Sequence, residues 1–148
     1  NCRARGASFG FPATRSTRTL GLIEEVMSAA GRQARIFYEQ VAKEGHAFTF
    51  LVDDNFLVFR IRDYDVIPFW SSRSRLERIQ KSHPKYATYA LSEIPLNRFL
   101  DTTLALLERD SVNVGVNWSG QHLTGYDLPV ADLRRNVGYY LDKVRNEA

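Results

Sequence analysis

The sequence has one cysteine and no long apolar run, and each of these two features excludes a class of protein. Cys2 cannot form an internal disulfide, and it lacks the further ligands that a zinc site or a redox pair needs. No stretch reaches the roughly 18 apolar residues of a transmembrane helix, and no charged n-region leads into an apolar h-region as in a secretory signal. We therefore expect a cytoplasmic protein that does not contact a membrane.

The composition is that of one globular domain preceded by an extension. The 148 residues are 44% hydrophobic and 25% charged, and no internal repeat follows Met27. Residues 1–26 are rich in Arg, Gly, Ser and Thr and lack sustained apolar periodicity. Because the chain begins with Asn, we predict that these residues are introduced or upstream sequence, partly disordered, and that residues 27–148 form a single domain.

The net charge gives only weak support for nucleic-acid binding. The whole chain carries 20 basic and 17 acidic residues. The extension holds 4 of the basic and 2 of the acidic ones, which leaves 16 and 15, a charge of +1, on the domain. The high isoelectric point of 9.2 therefore arises partly from the extension.

Apolar patterning after Met27 predicts an α+β domain, a mixed β-sheet covered by helices, in the order αβββαβαβα. The helices are expected over residues 29–44, 71–82, 96–109 and from about 129. The strands are expected over residues 47–54, 55–63, 66–70, 85–96 and 112–118. The first two strands should form a hairpin through the turn formers Asp53, Asp54 and Asn55.

Three local signals refine this prediction. Pro68 cannot donate a ladder hydrogen bond, so its strand should lie at an edge or pair incompletely there. Ser71, Ser72 and Ser74 are candidate N-caps, and Glu77 stands three residues after Ser74 as in a capping box. The strand, helix and strand over residues 85–118 resemble a right-handed crossover between parallel strands.

Motifs that carry known chemistry are incomplete. Gly115 and Gly120 have the spacing of a phosphate loop, but the Lys and Ser or Thr that should follow are missing. His46, His83 and His122 are too far apart to imply metal ligands, and the aspartates near residues 53–65 have turn rather than EF-hand spacing. The sequence thus assigns no catalytic residue, cofactor or metal. A pocket enzyme using His122 and Asp127 remains an alternative.

Two segments, PFWSSRSRLERIQK and VGVNWSG, each place a tryptophan at a strand end beside polar groups. Trp70, Arg73, Asn117 and Trp118 could form a docking surface, because aromatics and arginines dominate binding hot spots. The indoles could equally cap the core, with Arg73 stacked on one of them.

The helix after Trp70 carries a basic stripe. Arg75 and Arg78 share one face, and Lys81 and Lys85 lie further on. This stripe is either a solvated face or a surface for phosphate or an acidic protein.

The motifs FYEQVAKEG, PFWSSRSRLERI, EIPLNRFL, VGVNWSG and GYDLPVADLRRN, in this order, resemble a small bacterial family known as domain-of-unknown-function family 2750. The resemblance covers residues 28–138 and implies no reaction, catalytic residue or cofactor. In build, such proteins are similar to bacterial immunity proteins. We expect a non-catalytic protein-binding module, an immunity or adaptor protein with an unidentified protein partner. Nucleic-acid binding through the basic helix is the main alternative, and a small enzyme is a further one.

Overall fold

Residues 28–147 are described in the computed structural model, and their strands divide into two sheets. The three-stranded antiparallel sheet has the order β2-β1-β5, and the four-stranded mixed sheet has the order β3-β4-β6-β7. The strands are β1 (His46–Val52), β2 (Asn55–Phe56), β3 (Phe59–Ile61), β4 (Tyr64–Phe69), β5 (Ala90–Pro95), β6 (Asn113–Ser119) and β7 (Thr124–Leu128). This arrangement confirms the α+β class, whereas the predicted extension lies outside the described residues.

Helices precede, connect and follow these strands. They are α1 (Ala29–Glu44), α2 (Arg73–Ser82), α3 (Leu96–Arg98), α4 (Leu104–Arg109) and α5 (Val130–Glu147), with a 3₁₀ turn at Pro84–Tyr86. A π-helical segment, Phe99–Thr103, joins α3 to α4. The predicted helix over residues 96–109 is therefore one helical path with a π-helical turn, bonded i→i+5, in the middle.

The first helix has the boundaries that its sequence predicts. The Ser28 hydroxyl accepts a hydrogen bond from the Gly31 backbone N–H at 3.0 Å, and Gly45 ends the helix with a φ of 84°. Its apolar residues Ala34, Phe37 and Val41 recur at helical spacing and are buried. Its periodicity therefore brings α1 against the sheets.

The hairpin turn is confirmed, but its second strand is shorter than predicted. Asp53 and Asp54 have φ values of 54° and 67°, as a two-residue type I′ turn requires. The expected strand over residues 55–63 breaks after Phe56, so β2 pairs with β1 whereas β3 pairs with β4. The chain thereby passes from one sheet to the other.

The parallel pair in the mixed sheet differs from the predicted one. β4 pairs with β6, while β5 belongs to the other sheet, so the predicted crossover between the strands at 85–96 and 112–118 is wrong. On one side of β4, Pro68 lies opposite Gly115 of β6. On the other side, the pairing with β3 ends at Val66, two residues before Pro68. Its strand is therefore internal but pairs incompletely at Pro68, as expected.

Two further predictions need correction. The capping box does not form, since the N-cap of α2 is Ser72 and its side chain makes no capping hydrogen bond. Strand β7 was not predicted, because Thr124–Leu128 is short and contains Gly125 and Asp127, both poor strand formers. It pairs with β6 across a bulge between Val116 and Ser119.

The sheets lie between two hydrophobic clusters. One cluster, built around Phe37, Phe69 and Phe99, lies under α1, α4 and α5. The other contains Trp70, Trp118 and the two buried apolar residues of α2, Leu76 and Ile79. Since residues 114–118 are all buried, β6 is covered on both faces.

Candidate functional site

A cavity of about 460 Å³ lies between α2 and the turn after β6. Because β4 leads into α2 and runs parallel to β6, the cavity borders the carboxyl ends of two parallel strands. Ligands of sheets with parallel strands commonly bind at such ends. The α2 wall comprises Arg75, Arg78, Ile79, Ser82 and His83, and the opposite wall comprises residues 118–121, from Trp118 to Gln121.

Both tryptophans belong to the interior, so of the two alternatives that the sequence left open the indoles cap the core. Trp70 is 0% and Trp118 1% exposed. The Trp70 indole N–H donates to the Trp118 carbonyl oxygen at 2.8 Å, and the Trp118 indole N–H donates to the Tyr126 carbonyl oxygen at 2.8 Å. The rings therefore link β4, β6 and β7, and a docking surface formed by the indoles is withdrawn.

Trp118 forms the floor of the cavity because two glycines leave room for its ring. A Cβ atom at Gly115 would lie 2.6 Å from the Trp118 ring, and a Cβ atom at Gly125 would also lie 2.6 Å from it. Contacts this short do not occur between a Cβ atom and a ring atom, so any side chain there must displace the indole. The Phe59 ring packs edge to face against the Trp118 ring, with 5.2 Å between the two ring centroids.

A buried polar network joins the carboxyl ends of β4 and β6 to α1. The Asn117 amide oxygen accepts a hydrogen bond from the Ser71 N–H at 2.9 Å. The Asn117 amide N–H group donates to the Ser71 hydroxyl at 3.1 Å and to the Gln33 carbonyl oxygen at 3.2 Å. The Ser71 hydroxyl in turn donates to the Gln40 side-chain oxygen. Asn117 is 0% exposed, so it acts here as an internal tie rather than as a contact for a partner.

The network also holds the first arginine of the cavity. Arg75 Nη1 donates to the Gln33 side-chain oxygen at 2.7 Å. Burial lowers the pKa of Arg75, and the charge of Arg78 lowers it further. The guanidinium remains charged, but it is half-buried and its neighbours are a neutral amide and a second cation.

His83 closes one end of the cavity. Its Nε2 lies 2.9 Å from the Gln121 carbonyl oxygen. Because a carbonyl oxygen only accepts, Nε2 carries the proton in this contact. Nδ1 is buried and has no hydrogen-bond partner within residues 28–147. The imidazole thus fastens the turn after β6 to the end of α2.

The other basic candidates point away from the cavity. Arg73 pairs with Glu93 of β5 at 3.4 Å, so the predicted stacking of Arg73 on an indole is replaced by an ion pair. Lys81 does not line this cavity; together with Glu77 and Arg78 it lines a second depression, of about 540 Å³, along α2. The Lys85 ammonium lies 5.5 Å from the centroid of the Tyr86 ring. The basic stripe therefore divides, and only Arg75 and Arg78 face the cavity.

The residues of the enzyme alternative are not brought together in this cavity. His122 is exposed, and Asp127 accepts a hydrogen bond from the Tyr64 hydroxyl at 3.2 Å. Neither residue lines the cavity wall. Across residues 28–147, no three His, Cys, Asp or Glu side chains come close enough to hold a metal ion. In the same part of the chain, no helix is both long and apolar enough to cross a membrane.

Several residues of the site escaped sequence reasoning. Gln33 and Gln40 have the spacing of the buried face of α1 but are polar, so apolar periodicity does not indicate that they belong to the site. In the sequence, His83 is a histidine without a nearby metal ligand, and Gln121 belongs to no motif of known chemistry. The hydrogen bond of His83 with Gln121 joins residues that are 38 positions apart, and that of Gln33 with Asn117 joins residues that are 84 positions apart.

A family model described as "Protein of unknown function (DUF2750)" matches residues 34–137. The match includes every residue of the cavity wall and both residues, Ser71 and Asn117, at the centre of the buried network. The chain therefore belongs to this family. No curated protein and no solved structure matches the chain.

Proposed function

We propose that this DUF2750 protein is a non-catalytic protein-binding module that receives an acidic segment of a protein partner in the cavity beside α2. One observation carries the proposal. Among the described residues, Arg75 and Arg78 face one cavity without an ion-pair partner, whereas six other arginines each pair with a carboxylate. Arg75 is half-buried, and a half-buried cation without a counter-ion is costly, so an anionic partner group would stabilise this face.

The position of the cavity supports the same role. Its walls are a helix, α2, and the turn after β6, and the hydrogen bond between His83 and Gln121 joins the two. Its floor is the fully packed indole of Trp118. A site held by such a frame changes little when a partner docks, which lowers the entropy cost of binding. The Arg75 guanidinium, which Gln33 holds in place, then gives a carboxylate two parallel hydrogen bonds.

A protein partner is favoured over nucleic acid by charge and by the burial of both indoles. The residues after position 27 carry 16 basic and 15 acidic side chains, and Glu77 interrupts the basic stripe of α2. Both tryptophans are enclosed, so neither can stack on a base. The immunity or adaptor role and the cytoplasmic location stay predictions within this proposal.

Binding of an acidic peptide to the full chain tests the proposal. We expect a labelled deca-glutamate peptide to bind in fluorescence anisotropy, with affinity that falls as salt rises. Amide resonances of α2 and of residues 119–121 should shift in the bound state. The double variant Arg75→Gln with Arg78→Gln should weaken binding at least tenfold.

A matched control separates this site from general charge attraction. The double variant Arg98→Gln with Arg145→Gln removes the same two charges from exposed positions outside the cavity and should bind the peptide within twofold of the parent chain. Equal losses in both variants, or no binding of the peptide at all, would contradict the proposal. Tighter binding of a ten-nucleotide single strand than of the peptide would favour the nucleic-acid alternative instead.

A further inference from the structure

We infer that the cavity is built for a phosphate monoester on the partner protein, a phosphorylated side chain, rather than for carboxylates alone. This inference rests on the proposed function and names the group that the same cavity receives. It starts from the charge of the two arginines and from the composition of the cavity walls.

The positive charges of the two guanidinium groups are compensated best by a ligand with two negative charges. Arg75 and Arg78 stand one helical turn apart on α2 and line the same cavity. Their mutual repulsion contributes to the lowered pKa of Arg75. One carboxylate compensates one of the two charges, whereas a phosphate monoester carries about −1.5 to −2 at neutral pH and offers three acceptor oxygens. A single phosphate can therefore bridge both forks.

The orientation of Arg75 is set before any ligand arrives. Its Nη1 is held by Gln33 at 2.7 Å, and the Gln33 carbonyl oxygen is held by Asn117 at 3.2 Å. Asn117 itself is anchored to Ser71 at the end of β4. Only one of the five guanidinium N–H groups is used in this contact, so the others remain to donate to phosphate oxygens.

The remaining wall residues suit the apolar and the polar parts of a phosphorylated side chain. Ile79 and Trp118 supply an apolar surface, whereas Ser82, Ser119 and Gln121 supply neutral polar groups. No acidic side chain lines this cavity within the described residues, so a dianion meets no like charge at its walls. The cavity volume of about 460 Å³ falls in the range of about 300–1,000 Å³ that ligand pockets occupy.

The test compares one peptide in three forms against the full chain by isothermal titration calorimetry. The peptide is a Gly/Ser nonamer that carries phosphoserine, glutamate or serine at its centre. We expect the phosphoserine form to bind at least tenfold tighter than the glutamate form. We expect the serine form not to bind.

Variants connect this preference to the cavity. Arg78→Gln changes an exposed side chain that makes no hydrogen bond to the buried network, so it should keep the thermal unfolding midpoint and abolish the tenfold preference. Arg98→Gln is the matched control and should retain it. A preference for phosphoserine that survives in Arg78→Gln would overturn the inference.

The remaining outcomes separate the inference from the function on which it rests. Equal binding of the glutamate and phosphoserine forms overturns the phosphate inference and leaves the acidic-peptide proposal standing. If no form binds and deca-glutamate does not bind either, both fail. If inorganic phosphate alone binds as tightly as the phosphopeptide, the ligand is a free phosphate and the inferred protein source is wrong.

Discussion

The position of Trp118 shows how two glycines can shape a site. Its ring lies against Gly115 and Gly125 and forms the floor of the cavity, while its indole N–H reaches the Tyr126 carbonyl oxygen. The glycines are needed here for space. Gly115 and Gly125 have no positive φ, unlike Gly45 and Gly120.

Gly115→Ala should therefore destabilise the domain. The added methyl group would lie 2.6 Å from the Trp118 ring, and such overpacking typically costs about 1–3 kcal/mol. Urea unfolding followed by tryptophan fluorescence measures this loss.

Gly138→Ala is the control for that substitution. Nothing lies within 4 Å of a Cβ atom at Gly138, and the residue is inside α5. This alanine should stabilise the domain by about 0.5–1 kcal/mol. Unchanged stability in Gly115→Ala would show that the indole can move aside at no cost.

Asn117 combines a hydrogen-bonding role with an unusual backbone. Its φ is 48°, and its amide oxygen satisfies the buried N–H of Ser71. Asn117→Ala should cost about 1–3 kcal/mol through the unpaired N–H, and the left-handed backbone should add to this cost.

Comparison with Asn117→Gly separates the two contributions. Glycine removes the same side chain but tolerates a positive φ, so Asn117→Gly should be more stable than Asn117→Ala in the same urea assay. If the glycine variant is the less stable of the two, the backbone conformation contributes nothing to the choice of residue.

At the scale of elements, the hairpin between β1 and β2 offers room for stabilisation. Asp53 and Asp54 both occupy the left-handed region, where glycine has no Cβ penalty. Asp54→Gly should raise the free energy of unfolding by roughly 0.5–1 kcal/mol.

The same substitution at Asp63 controls for the loss of an aspartate in a turn. Asp63 lies in the turn between β3 and β4 but is absent from the positions with positive φ. Thermal unfolding of the two variants compares them directly. A gain for Asp63→Gly that equals the gain for Asp54→Gly would remove the conformational explanation.

The packing of α1 against α5 should make stability depend on alkaline pH. Burial raises the pKa of Tyr38 above its ordinary value of 10, although a hydrogen bond with Asn136 opposes this shift. The pKa of Tyr140, which stacks on Tyr38, is also raised by burial. Above about pH 10 the unfolded chain loses these protons before the folded chain does, so stability present at lower pH should decline.

Urea midpoints at pH 8, 9, 10 and 10.5 measure this decline. Tyr38→Phe removes one of the two groups and should make the decline shallower, although the lost hydrogen bond to Asn136 lowers stability at every pH. Tyr139→Phe removes the hydroxyl of an exposed tyrosine of α5 and serves as the control. A decline as steep in Tyr38→Phe as in the parent chain would contradict the assignment.

Local signals in the sequence predict the elements that depend on few distant contacts. The helix α1 and the hairpin turn carry caps, periodicity and turn residues within their own segments, and both were predicted. The partners of β3 and β5 were not, because strand pairing is decided by contacts between segments far apart in the chain. β7 lacked a signal because Gly125 is selected by the indole of Trp118 rather than by strand propensity.

At the scale of the whole molecule, the site also combines features that local sequence predicts with features that depend on distant contacts. The sequence indicated Arg75 and Arg78 as a pair, since their spacing places them on one helix face. It could not indicate that Gln33 orients Arg75 or that Trp70 and Trp118 are enclosed. Those facts depend on where α1 and β7 pack, which no local pattern reveals.

The fold brings together three distant segments to make the cavity. α1 contributes the amide that holds Arg75, α2 contributes the arginines, and the turn after β6 contributes the opposite wall. The central claim is that this assembled basic cavity, and not the basic surface in general, receives the anionic group of a partner.

Arginine side-chain Nε–H resonances of the full chain test that claim most directly. During a titration with deca-glutamate, the Arg75 and Arg78 signals should move together along one saturating curve, while the signals of Arg98 and Arg145 stay in place. Uniform small shifts across all four arginines, or stationary Arg75 and Arg78 signals at saturating peptide, would contradict the claim.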